Sequence, residues 1–197
     1  MEADLSPFVM QLFALRTIKM GTFTLKNEVT VPIKVELSAL LKDSAALGSL
    51  CDLLAEKAAK FEPTLLCGAG NMGLVLTTLV SARLNIPFVM HRKGGVHSAQ
   101  IEGSFKTGSR CLLIADLLEP RAELFETLDA LEEEGLEVRD VLVAFDWQRG
   151  GKDKLRQRGI QLHSLLSVAQ AAEMLSEAGK IEGPHAKVLI DFFDSDS

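Results

Sequence analysis

LLIADLLEPRAELFETL, residues 112–128, reads as a strand, a turn and a helix. Leu112, Leu113 and Ile114 form an apolar run that Asp116 closes. From Pro120 onward the spacing is helical, with Pro120 at the first position, acids in the first turn and Gly135 at the far end. The same alternation runs outward in both directions. Upstream, TLLC (64–67) is a strand, MGLVLTTLVSARL (72–84) a helix, PFVMH (87–91) a strand and CLLIA (111–115) the strand just described. Downstream of the helix PRAELFETLDALEEE (120–134), DVLVAF (140–145) is a strand, KDKLRQR (152–158) a short helix, IQLHS (160–164) a strand and SVAQAAEMLSEA (167–178) a helix. Short apolar strands separated by helices imply an α/β fold: a mainly parallel sheet with helices on both faces.

The first part of the chain has a different period. Val29, Val31, Ile33, Val35 and Leu37 alternate with Thr30, Pro32, Lys34 and Glu36, the pattern of a half-buried strand that Pro32 places at an edge or bulge. With TFTLK (22–26) before it, the spacing predicts a hairpin. Leu47, Leu50, Leu53, Leu54 and Ala58 then predict a helix. The expected organisation of residues 1–197 is one domain: an N-terminal hood over about 1–45, a core over about 46–180 and a tail over about 181–197.

Composition narrows the class. Of 197 residues, 47% are hydrophobic and 24% charged, which is globular rather than disordered. A net charge of −6 argues against nucleic acid as a partner. No apolar run approaches the ~18 residues of a membrane span. The start, MEADLSPF, lacks the basic opening of a signal peptide. Cys51, Cys67 and Cys111 are widely spaced among apolar neighbours, which suits reduced core thiols in a cytoplasmic protein.

In an open parallel sheet, ligands sit beyond the C-terminal ends of the strands. The chemistry is therefore sought in residues 67–73, 91–104, 115–123 and 146–151. CGAGNMG (67–73) follows a strand and opens a helix, and Gly68, Gly70 and Gly73 fit G-x-G-x-x-G with Ala69 between the first two. Such glycines let backbone N–H groups approach an anion. One reading is a dinucleotide site, with His91, Arg92 and Lys93 placed for the 2′-phosphate of NADP. Against it, that motif opens its fold, whereas here a hairpin and a helix precede it. Another reading is a tight strand-to-helix turn without a ligand.

DWQRGGKDKLRQRGIQLHS (146–164) tips the balance. Its GGKDKL, GI and LHS resemble the closing strand and loop of the orotate phosphoribosyltransferase family, most of all the phosphoribosyltransferase part of uridine monophosphate synthase. FVMQLFALRTIKMGTFTLKNEVTVPIKVEL resembles that family's opening, LLCGAGNMGL its pyrophosphate loop, HRKGG with IEG its mobile-loop segment, and LLIADLLEPRAE its ribose-phosphate loop. The resemblance covers residues 8 to about 180. It implies a type I phosphoribosyltransferase fold and a homodimer. It also implies attack of orotate on C1 of phosphoribosyl pyrophosphate (PRPP), with Mg²⁺ accompanying the PRPP and no metal held by the protein alone. By register, Lys26, Gly68, Ala69, Gly70, Gly73 and Arg92 become substrate-binding positions, and Lys93 and Asp116 catalytic ones.

The motifs depart from the family where substrate is held. Its ribose-phosphate loop carries two adjacent acids, then hydroxyl residues and a glycine. Here Ala115 replaces the first acid, Asp116 keeps the second, Glu119, Pro120 and Arg121 replace the hydroxyl–glycine segment, and Glu123 replaces a further hydroxyl residue. Pro120 removes an N–H donor. One carboxylate about 4 Å from a phosphate charge costs on the order of 4 kcal/mol at intermediate dielectric. That corresponds to ~1000-fold in affinity, which Arg121 would offset in part. Val96 stands at the mobile loop's lysine position, His97 is one place early, and Asn27–Glu28 replaces the S-G after Lys26. Trp147 stands where the family binds orotate with Arg, so its ring is expected to line or close that pocket with Asp146 beneath. An indole stacks on a base but forms no ion pair with a carboxylate. Three functions stay open: a non-catalytic relative with another small-molecule, nucleotide-type ligand or a protein partner, an active orotate phosphoribosyltransferase, and an NADP-binding oxidoreductase.

Overall fold

The structure is a computed structural model and describes residues 4–24, 30–92, 100–118, 122–148 and 151–181. Its contacts divide the chain into two compact units, Met1–Ser49 with Leu166–Ser197, and Leu50–Leu165.

In the first unit, α1 (Ser6–Ala14) has Pro7 in its first turn, where a missing N–H costs nothing, and it packs on α6 (Val168–Glu177). Ser167 opens α6 with a reciprocal capping box: its Oγ accepts from Gln170 N–H, while the Gln170 side chain accepts from Ser167 N–H. The expected hairpin is present as β1 (Ile18–Thr24) and β2 (Thr30–Val35), paired antiparallel. Val31, Ile33 and Val35 are buried while Thr30 is exposed, so the period-two reading holds. The register slips between Met20 and Phe23, around Gly21 at φ +148°. A 3-10 turn, Leu37–Lys42, follows β2. Leu12 on α1 is fully buried, while Phe8, Phe13 and Leu15 are half-buried.

α2 (Ser44–Ala59) begins with Asp43 Oδ1 accepting from Ala46 N–H at 2.9 Å, an N-cap. The second unit is built on a six-stranded sheet of order β5-β4-β3-β6-β7-β8: β3 (Leu65–Gly68), β4 (Phe88–His91), β5 (Ile101–Glu102), β6 (Cys111–Leu118), β7 (Asp140–Asp146) and β8 (Gln161–Ser167). β4, β3, β6 and β7 run parallel, and β5 pairs antiparallel with β4. The helices of this unit are α3 (Gly70–Leu84), α4 (Ala122–Glu133) and α5 (Gly151–Gln157). The step from β3 to β4 and the step from β6 to β7 go in opposite directions along the sheet. Right-handed crossovers therefore put α3 and α4 on opposite faces. Asn85, left-handed at φ 54°, ends α3, and Gly135 at φ +73° ends α4. Leu65, Cys67, Val89, Leu113, Val141 and Val143 form the centre of the core.

One boundary differs from the sequence reading. β6 continues through Leu117 and Leu118, past Asp116, because both leucines are buried and pair with β7. α4 is described from Ala122, and the expected start at Pro120 lies outside the described residues.

Candidate functional site at the switch point of the sheet

Counted from β3 and leaving out β5, the strands stand in the order 2-1-3-4-5, and the connections reverse between β3 and β6. That reversal is where an open α/β sheet leaves a crevice at its C-terminal edge. A pocket of about 170 Å³ lies there, lined by Ala69, Gly70, Asn71, Ala115, Asp116, Leu117, Glu123 and Leu124. The loop after β3 and the end of β6 thus meet as expected. A dinucleotide fold needs two further parallel strands beyond β3 on the side of β4; here β4 is followed by the antiparallel β5, and the order does not fit.

The glycines divide by role. A Cβ at Gly68 would lie 2.5 Å from Gly73 O and 2.6 Å from Leu74 Cα. One at Gly73 would lie 2.8 Å from Ile114 O. Ala69 N–H donates to that same Ile114 O at 2.9 Å. Gly68 and Gly73 therefore serve the packing of β3, α3 and β6. Gly70, at φ +72°, faces the pocket, and a Cβ there would lie 3.2 Å from Glu123 Oε2.

Arg92 is not drawn into this pocket. Its guanidinium, 60% exposed, pairs with Glu102 on β5 at 2.9 Å, and its N–H donates to Gln100 O. His91 Nδ1 lies 2.9 Å from Thr127 Oγ1 on α4. Thr127 has one hydroxyl proton and gives it to Glu123 O at 2.9 Å, so His91 donates through Nδ1. The expected phosphate-side cation is in fact a brace on the first turn of α4.

Trp147 is 3% exposed and does not line this switch-point pocket, and its Nε1 has no hydrogen-bond partner among the described residues. Asp146 accepts from Gln148 N–H at 2.8 Å. Burial pushes its carboxyl above the usual range, partly countered by that bond and by the Lys152 charge. Lys26, Asn27, Glu28, Lys93, Val96, His97, Glu119, Pro120 and Arg121 lie outside the described residues. Sequence reasoning missed Asn71, Leu117 and Leu124 as lining residues; Asn71 was legible as the next position after Gly70. Among the described residues no three or more His, Cys, Asp or Glu gather as a metal set, and no helix is long and apolar enough to cross a membrane.

No family model matches the chain. The orotate phosphoribosyltransferase of Chlamydia caviae is 31% identical over 193 residues, covering 94% of this chain and 94% of that protein. The uridine 5′-monophosphate synthase of Bos taurus is 30% identical over 185 residues, 91% of this chain but 38% of the bovine protein. Among solved structures, the UMP synthase of Leishmania donovani superposes with a TM-score of 0.89 over 98% of this chain and 43% of that one, at 22% identity.

Proposed function

Since the chain belongs to the orotate phosphoribosyltransferase family, with the type I fold, we propose that it is a cytoplasmic homodimer whose turnover of orotate and PRPP is impaired or lost. The observation that carries this reading is Trp147. The register of the resemblance gives this position a cation for the orotate carboxylate. Here it holds an indole that is 3% exposed and carries no charge. Ala115 supports the reading from the other side of the reaction: it lines the pocket where the family's motif has an acid for the ribose hydroxyls.

Asp116 in that pocket, beside Gly70, favours a second reading, an enzyme that keeps some activity. In either case Lys93, Lys26 and Arg92 are the remaining cations of the family's motifs. Mg²⁺ belongs to the reading only as a companion of bound PRPP. Asp116, Glu123 and Asn71 are the pocket's polar side chains. Pairing in solution is supported by Phe8, Phe13 and Leu15, left half-buried on and after α1.

Calorimetric titration with PRPP and Mg²⁺, then orotate, tests the function. The expected outcome is no PRPP binding below the millimolar range and no orotidine monophosphate. Micromolar affinity or product formation overturns it. Light scattering should give twice the chain mass; a monomer would overturn the homodimer.

A further inference from the structure

α3 is a fifteen-residue helix whose own sequence leaves its N-terminus uncapped. Its N-cap is Ala69, without a side-chain acceptor, and its first turn has no acid. Such an end carries N–H donors without helical partners and a partial positive charge. What stands against it comes from another helix. Glu123 of α4 brings its carboxylate to within 3.2 Å (Oε2) and 3.3 Å (Cδ) of the Cβ position of Gly70, the first residue of α3. That placement is not loose. Thr127, 1% exposed, bonds back to the Glu123 carbonyl, and His91 at the end of β4 bonds to Thr127. The first turn of α4 is therefore pinned to the sheet, and its acid is held at the mouth of the neighbouring loop.

We infer that Glu123 is a tethered anion standing at the phosphoryl position of the pocket, and that it is the chief determinant of the pocket's specificity against phosphorylated ligands. The inference rests on the reading that PRPP contacts are impaired. It goes further by assigning the exclusion to one side chain acting across the pocket, on the loop that otherwise keeps its shape. A phosphoryl group approaching α3 would meet Glu123 before it met the helix, with Asp116 as a second acid on the same wall. The same carboxylate offsets the helix charge that a phosphate would otherwise offset, so the pocket has exchanged a bound anion for a built-in one.

Inorganic pyrophosphate without metal is the probe, titrated into wild type, E123Q and E123D, with melting temperature as a second readout. Gln keeps the size and removes the charge; Asp keeps the charge and withdraws it by one methylene. Wild type should bind no tighter than millimolar. E123Q should bind at least about tenfold tighter, the order expected for removing one nearby like charge. It should also melt lower than wild type when free and recover with pyrophosphate, while E123D falls between the two. Equal affinity in wild type and E123Q overturns the inference, as does micromolar binding by wild type. If E123Q does not fold, E123D against wild type decides, and equal affinity again overturns it. Orotidine monophosphate made by wild type would overturn the functional reading, whereas the pyrophosphate series judges Glu123 separately.

Discussion

In the loop after β3, the glycines at 68 and 73 are pressed against main-chain atoms: Gly73 O and Leu74 Cα for one, Ile114 O for the other. Across the pocket, by contrast, the lining residues of β6 and α4 include Ala115, Asp116 and Glu123, which differ from one another in their side chains. Main chain that packs on main chain cannot change without refolding the sheet. Side chains that face a crevice can change one at a time. A glycine motif therefore has architectural reasons to stand whether or not it holds a ligand, and the residues across the pocket report the chemistry. The likeness to G-x-G-x-x-G is thus weak evidence for any particular ligand in this chain.

The largest test of that contrast rebuilds the variable side. Ala115→Asp, Glu119→Thr, Pro120→Thr, Arg121→Gly and Glu123→Ser together should raise PRPP affinity by up to ~1000-fold, read by calorimetry with Mg²⁺. Trp147→Arg alone should give no turnover, and its gain in the rebuilt background should exceed the sum of the separate gains. No gain in PRPP binding would mean that the loop after β3 is also unfit for phosphate. The next test attacks the fixed side. Gly68→Ala puts a methyl where backbone cannot yield, at a cost of about 3 kcal/mol or more. Thermal unfolding should show a fall of roughly 6–12 °C; an unchanged melting temperature would break the comparison.

The brace between the sheet and α4 comes third. Thr127→Val keeps the shape but leaves the His91 Nδ1–H without its acceptor, which should cost about 1–3 kcal/mol in urea unfolding. Asp146 gives a smaller, pH-dependent effect. Its carboxyl lies above the usual range when folded, so the folded state holds the proton more tightly than the unfolded chain. Stability from this group is therefore present in acid and falls as pH rises through the folded value, the reverse of an ion-paired carboxylate. Asp146→Asn should raise the melting temperature slightly at neutral pH, and the advantage should vanish in acid. The smallest effect belongs to Arg92. Its pair with Glu102 is exposed, so Arg92→Met should change stability by less than about 0.5 kcal/mol, measured by the same unfolding curves.

Much of the sheet could be read from the sequence, because β3, β6 and β7 are buried runs and each strand-to-helix alternation has its own punctuation. The end of β6 could not, because Asp116 looked like a terminator. A strand edge that opens into a pocket tolerates a charge, and the strand resumes with Leu117 and Leu118. The two-residue β5 has no periodic signal at all. At the site, the meeting of residues 69–70 with 115–116 followed from topology. The approach of Glu123 to Gly70 did not, because within its own helix Glu123 is simply an acid in a first turn. His91 likewise looked like a ligand contact until its partner on α4 was seen.

All three cysteines of the chain, Cys51, Cys67 and Cys111, fall within Leu50–Leu165, and all are buried. Burial pushes the thiols up, to about 11 for Cys51 and about 12 for Cys67, and raises Cys111 well above its ordinary value. Near neutral pH the folded protein therefore offers an alkylating reagent almost no thiolate. Modification must wait for an opening around α2 or the sheet, and nothing that happens in the other unit adds a thiol to the count. The chain carries its own clock for the breathing of one unit alone, and ligands of the switch-point pocket should slow it.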